Sequence, residues 1–328
     1  MTKYLPRTRV IGSSLAAASV LALSTGAAAQ AAPAPTVVDP GAVIAIAGDG
    51  TNVAWLHADY GPKGGRPTKI TLWLRDASGT AKALRTVDRT TGDLAIGDDA
   101  NGDLTIVLNS GGTSKTGPTK LFALPADGSV KAHRLRASLP GGYESAPGLH
   151  DGVLSFSRDE RTRARGVVHA TVRLGSLTSS KSRLVWNGAK NTEIASTIPT
   201  AGKGVAFVTD RADDVGAIYE LRTLRAGGPS KRLSRTAFGG ASEAGYGALV
   251  TTNGGTRLVA PRWEDGGGHP ADRTTYRVPS GTQVGSATKL LPGEQDLGVP
   301  VKDGFAYVDF NLPDEFDETG QLVFQPNG

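Results

Sequence analysis

The feature that most constrains this 328-residue chain is a turn-and-strand pattern that returns about every fifty residues. A Gly, Asp or Asn turn leads into an alternating apolar run at Gly50-Thr51-Asn52-Val53-Ala54-Trp55 and again at Asn101-Gly102-Asp103-Leu104-Thr105-Ile106. It recurs at Asp151-Gly152-Val153-Leu154-Ser155-Phe156 and at Lys203-Gly204-Val205-Ala206-Phe207-Val208. The last two copies are Gly254-Gly255-Thr256-Arg257-Leu258-Val259 and Asp303-Gly304-Phe305-Ala306-Tyr307-Val308. Measured between Asn52, Asp103, Gly152, Gly204, Thr256 and Gly304, the steps are 51, 49, 52, 52 and 48 residues. Such near-constant spacing marks a repeat architecture.

Each unit holds about four strand-like runs separated by Gly and Pro segments. In the first these are Val43 to Ala47, Asn52 to Leu56, Lys69 to Arg75 and Ala83 to Val87. One four-stranded sheet of this size cannot bury both faces, whereas radial packing of several such sheets can. The expectation is an all-β fold: a six-bladed β-propeller with four-stranded antiparallel blades. The sixth unit runs out after three strands, and Thr36-Val37-Val38 has no place in the first unit. This N-terminal stretch is therefore expected to complete the last blade and close the ring. The alternative is an unpaired N-terminal stub beside a three-stranded last blade.

The segment ahead of the repeats reads as an export signal. Lys3, Arg7 and Arg9 precede an apolar stretch from Val10 to Leu23, followed by small residues that allow cleavage near Ala29 or Ala31. The domain reading is a signal peptide over 1–29, a spacer over 30–35 and a single propeller over 36–328. The expected location is extracellular or associated with the cell envelope, with no transmembrane segment in the mature chain. Losing the three basic residues of the leader lowers the formal net charge from +5 to +2, so the pI of about 9.4 loses most of its force as a nucleic-acid signal. No basic stripe with interleaved aromatics suggests nucleic-acid binding either. The chain has no Cys, which excludes disulfides, thiolate metal sites and a thiol nucleophile. Its 44 Gly exceed the usual ~7%, as many tight turns require.

The turns Asp49-Gly50, Asn101-Gly102, Asp151-Gly152, Asn253-Gly254 and Asp303-Gly304 resemble a degenerate TolB-like propeller repeat, whose full form places Ser-Pro ahead of Asp-Gly. The Ser-Pro pair is absent here. The resemblance covers about Val43 to Phe324 and implies a fold; such propellers include periplasmic scaffolds and domains attached to peptidases. No Gly-x-Ser-x-Gly stretch supports the peptidase branch.

Chemistry is expected on one face of the propeller. The loops between second and third strands are long and charged, and binding residues concentrate on loops held by a rigid scaffold. The candidate binding residues are His57, Asp59, Tyr60, Arg158, Asp159, Asp210, Arg211, Arg262, Trp263, Glu264, Asp309 and Asn311. Trp263 beside Glu264 could stack a sugar, or simply belong to the core.

An acid also falls just before the first strand of each unit: Asp39, Asp93, Glu144, Glu193, Glu243 and Asp296. The last five are candidate metal ligands, since calcium takes oxygen donors in flexible geometry. The competing reading is that each acid bonds its own turn or a neighbouring strand. Asp98 to Asp103 resembles a calcium loop but lacks a closing Glu, and reads as a hairpin turn. No catalytic set is recognisable.

The expectation is a monomeric binding or scaffold module that recognises an envelope or extracellular protein or glycan. The rival readings are a calcium-dependent, lactonase-like hydrolase and a carbohydrate-active enzyme with paired carboxylates at the channel mouth.

Overall fold

The computed structural model describes residues 34–326, apart from 62–65, 88–91, 111–118, 130, 139–142, 163–166, 214–215, 239–242, 266–270, 279, 290–297 and 310–319. The leader and the proposed cleavage sites lie outside the described residues. Among the described residues every regular element is a strand, and no helix is long and apolar enough to cross a membrane.

The strands follow the repeat. The first group is β1 (Thr36–Asp49), β2 (Asn52–Tyr60), β3 (Pro67–Arg75) and β4 (Ala81–Val87). The second is β5 (Leu94–Asp98), β6 (Leu104–Ser110), β7 (Lys120–Pro125) and β8 (His133–Arg134). The third is β9 (Tyr143–His150), β10 (Val153–Thr162), β11 (Val167–Ser176) and β12 (Arg183–Asn187). The fourth is β13 (Thr192–Thr200), β14 (Gly204–Asp213), β15 (Gly216–Leu224) and β16 (Ser230–Phe238). In the fifth the innermost strand is split into β17 (Glu243–Tyr246) and β18 (Val250–Thr252), both paired with β19 (Arg257–Asp265), before β20 (Ala271–Arg277) and β21 (Thr282–Lys289). The sixth holds β22 (Gly298–Val301), β23 (Gly304–Asp309) and β24 (Gly320–Pro326).

Within each group consecutive strands pair antiparallel. The hydrogen bonding sorts them into four sheets of 4, 5, 7 and 8 strands. The two largest sheets each join two groups. A single parallel pairing, His169 with Thr192, links the third to the fourth. The sixth and first are linked by β1, whose N-terminal part pairs with β24 (Thr36 with Phe324, Val37 with Val323) and whose C-terminal part pairs with β2.

The core lies between groups. Side chains alternate along a strand, so one strand serves two neighbours. Ala54 and Leu56 of β2 pack with Ile96, Ile106 and Leu124 of the second group. Val53 and Trp55, on the other face of β2, pack with Val299, Val308 and Phe324 of the sixth. The same arrangement joins Leu121 to Leu149 and Phe156, Val172 to Phe207, and Leu221 to Leu258. Full burial of each such Leu, Val or Phe stabilises by about 1.5–3 kcal/mol. The matching burial on both faces of the middle strands is what a stack of short sheets requires.

The innermost strands touch in sequence: β1 with β5, β5 with β9, β9 with β13, β13 with β18, and β22 with β1. Backbones approach closely enough there to exclude side chains. A Cβ on Gly148 would run into the Thr197 carbonyl, and one on Gly97 into that of Leu149. Turns between first and second strands meet at one end of these strands. The Gly152 N–H donates to Asp98 O at 2.9 Å, Ala201 N–H to Gly255 O at 2.9 Å, and Lys302 N–H to Gly50 O at 2.7 Å. The longer second-to-third loops leave from the opposite end, which is the face that carries the candidate site.

Candidate functional site

On the loop face, the first strand of a group starts opposite the end of the second. In three groups the polar side chains at this junction are engaged with one another. In the third, Glu144 is completely buried against Arg158, with Nη2 and Nε at 2.6 and 3.0 Å from Oε1. Ser138 donates to the other carboxyl oxygen, and Arg158 Nη2 also donates to Ala137 O at 2.9 Å. In the second group, Asn109 Nδ2 donates to Asp93.

In the first group, Asp39 accepts from Trp55 Nε1 at 2.7 Å, from His57 Nδ1 at 2.8 Å and from the Gly41 N–H at 2.9 Å. His57 Nε2 lies 3.3 Å from Asp59. The imidazole packs where a Cβ on residue 41 would sit, which is why Gly stands there. Asp39 departs from the sequence reading in one respect. It lies within the continuous strand β1, on the part paired with β24 (Asp39 with Leu322), ahead of Val43 where pairing with β2 begins.

The fourth group differs. Glu193 pairs in register with Asp210, Asp210 with Tyr219, and Tyr219 with Thr236, so four polar side chains cross β13 to β16 in one row. Directly opposed residues share a sheet face. This face is the one that Val208 and Leu221 turn toward Leu258 and Tyr276 of the fifth group. Glu193 is exposed and Asp210 half-buried. Among the described residues neither carboxyl has a hydrogen-bond or ion-pair partner. Burial, reinforced by the charge of Glu193, raises the Asp210 pKa above the usual carboxylate range. Burial and the neighbouring Asp210 raise the Tyr219 phenol in turn. Thr236 is 8% exposed, and its hydroxyl has no hydrogen-bond partner. Across the group boundary, Tyr246 pairs with Arg262, and Tyr246 and Tyr276 face Ser234 of β16. Burial raises both phenols.

The other predicted residues are scattered around this face. Tyr60 is exposed at the end of β2, and Arg211 is exposed beside Asp210. Asp159 accepts from Ser157 Oγ at 3.2 Å, and Asp309 accepts from Gln321 at 3.4 Å. Glu243, Trp263 and Glu264 occupy paired strand positions on β17 and β19. Asn311 and Asp296 lie outside the described residues. Of the proposed calcium ligands, Asp93 and Glu144 are engaged within their own groups, while the Glu243 side chain and Asp296 lie outside what is described; among the described residues no three His, Asp or Glu side chains could hold a metal ion together. Asp99 accepts from the N–H groups of Asn101 and Asp103 at 2.7 and 3.0 Å, so this acidic stretch is a self-bonded turn.

The opposite face carries a second cluster that the sequence reading passed over. The Asp49 carboxyl is raised to about 6, chiefly by burial, then by the charges of Asp98 and Asp151 against the opposing effect of His150. His150 Nε2 lies 3.5 Å from Asp151. Gly255 stands where a Cβ would press on His150.

No protein-family model matches the chain, and no curated protein sequence matches it. Solved structures do. The α-L-arabinofuranosidase Arb93A of Fusarium graminearum superposes with a TM-score of 0.57 at 9% identity, over 90% of this chain and 98% of that one. A protein of unknown function from Dyadobacter fermentans gives 0.56 at 8% identity, over 90% and 100% of the two chains. The Hadza microbial sialidase Hz136 gives 0.53 at 11% identity, over 88% and 65%. The structural neighbours are β-propellers, and this chain has a propeller fold. At these identities the likeness extends to the fold alone.

Proposed function

We propose that this protein is an exported, six-bladed β-propeller of TolB-like type that binds a saccharide ligand on its loop face, at the boundary of the fourth and fifth blades. Support for a closed ring comes from the six antiparallel groups, the run of contacts between innermost strands and the pairing of β1 with both β24 and β2. One observation carries the site. At the junction where Asp93 and Glu144 are engaged by Asn109 and Arg158, Glu193 instead meets another acid, Asp210. A ligand rich in hydroxyls supplies the donors that this pair lacks, and the adjacent Tyr219 offers an aromatic surface beside it. Two neighbouring structures bear the names of glycosidases, which agrees with the reading but does not carry it.

A glycan array probed with the mature chain, followed by calorimetry on the hits, tests this. Binding of neutral glycans is expected, weakened at least tenfold by Asp210→Ala. A blank array combined with capture of basic peptides would assign the face to a protein partner and refute the saccharide reading.

A further inference from the structure

We propose that the outer edges of the strand groups form a basic belt that binds a linear, carboxylate-bearing polysaccharide. This surface is separate from the loop face, so the inference stands independently of the saccharide reading there. Among the described residues, β4, β8, β12, β16 and β21 each pair with one neighbour only and leave their other edge open. Each of these five strands contains Lys or Arg, and none contains Asp or Glu. Lys82, Arg134, Arg183, Lys231, Arg232 and Arg235 are exposed along them. The whole chain has 36 Lys and Arg against 31 Asp and Glu, so this one-sided edge reflects segregation of nearly balanced charge.

An open edge needs charge to deter pairing with another chain, but either sign serves that purpose. Resistance to aggregation therefore explains charged edges and leaves their single sign unexplained. Acids come no closer to the edge strands than Glu220 on β15 and Asp272 on β20, one strand further in, and the turns and loops. Edges of neighbouring groups also adjoin. Lys231 Nζ donates to Ser280 O at 2.7 Å, in the turn leading into β21. A Cβ on Gly128, in the turn ahead of β8, would lie 3.9 Å from Leu84 of β4. The basic surface thus continues from one group to the next. Its charges are open to a ligand. Arg232 meets Glu220 at 3.1 Å in an exposed pair that a ligand carboxylate can replace, and among the described residues Arg183 and Arg235 have no acidic partner.

The occupant follows from the chemistry of the belt. Planar guanidinium groups bind carboxylates through paired N–H donors. In a propeller the outer edges curve away from any one plane, which suits a chain better than a flat membrane. Leu184 and Val284 are the large apolar side chains exposed on these strands among the described residues, and they stand on different groups, too little to anchor in lipid. Among the described residues no aromatic side chain is exposed on the five strands, so nucleic-acid bases find no surface to stack on.

The test is calorimetric titration of the mature chain with polygalacturonate fragments of graded length, at about 0.15 M salt and above. Binding that tightens with fragment length and weakens as salt rises is expected. Lys231→Glu with Arg235→Glu, and separately Lys82→Glu with Arg183→Glu, should each weaken binding by about tenfold or more. All four positions are exposed, so melting temperatures should hold, and hits on the neutral-glycan array should be unchanged. The length and salt dependence of the wild type need no variant, so a misfolded variant does not remove the test. Absence of binding, or binding indifferent to both pairs of substitutions, overturns the belt and leaves the loop-face reading standing. An affinity independent of fragment length overturns it in favour of a single pocket. Tighter binding to phosphatidylserine vesicles or to single-stranded DNA overturns the choice of a polysaccharide.

Discussion

The turn-face cluster should make this fold more stable in mild acid than at neutral pH. Asp49 is held at about 6 in the folded chain against an ordinary value of 3.8. Its charged form is penalised by burial and by Asp98 and Asp151, and the folded state therefore binds a proton more tightly than the unfolded one. The penalty is fully present above pH 6 and is relieved as pH falls through about 6 toward 4. A shift of roughly two pKa units corresponds to at most about 3 kcal/mol. For a domain of this size 1 kcal/mol moves the melting temperature by roughly 2–4 °C. The informative comparison is with Asp49→Asn, which removes this one titration and leaves the rest of the chain unchanged. Calorimetric melting of both proteins from pH 4.5 to 7.5 should show the variant ahead of wild type by several degrees at pH 7.5. The gap should narrow to roughly a third of that by pH 4.5. Parallel curves across the whole range would show that Asp49 carries no folding penalty and would refute the reasoning.

Two further perturbations probe the N-terminal strand and the close approach of the innermost strands. Asp39→Ala leaves the Trp55 N–H, the Gly41 N–H and His57 Nδ1 without their acceptor and removes the side-chain tie between the N-terminal part of β1 and β2. A buried donor left unmet costs about 1–3 kcal/mol, so a loss of about 3–5 kcal/mol is expected in urea unfolding followed by tryptophan fluorescence. Gly148→Ala should cost about 1–3 kcal/mol by crowding the Thr197 carbonyl across the groups, whereas Gly285→Ala, on β21 with its nearest neighbour Thr275 Cβ at 3.9 Å, should leave stability nearly unchanged. Equal effects of the two on melting temperature would count against tight packing of the innermost strands.

The fold was legible because its turns are local. Asp-Gly and Asn-Gly pairs state where a hairpin reverses regardless of what packs around it, and their fifty-residue step carries over to the groups of strands. The position of Thr36 to Val38 was legible for the same reason: the sixth unit runs out one strand short. The close approach of the innermost strands was also written in the chain, as Gly48, Gly97, Gly148, Gly247 and Gly298, but a glycine series has meaning only once strands are known to converge there.

The candidate site was half legible. Periodicity located the acids at 93, 144 and 193 but carries no information on what opposes each one across its hairpin. That partner lies 14 to 17 residues further on and is Asn109, Arg158 or Asp210. The same backbone position thus yields an amide-bonded acid, a buried ion pair and a like-charge pair. Three local electrostatic states arise from one change of side chain per repeat. An acid that recurs with the repeat reflects the architecture, whereas its chemistry is set by what opposes it: Glu193 stands opposite Asp210, and Glu243 stands in register with Asp265. Both like-charge pairings could have been found by reading each acid together with its cross-hairpin neighbour.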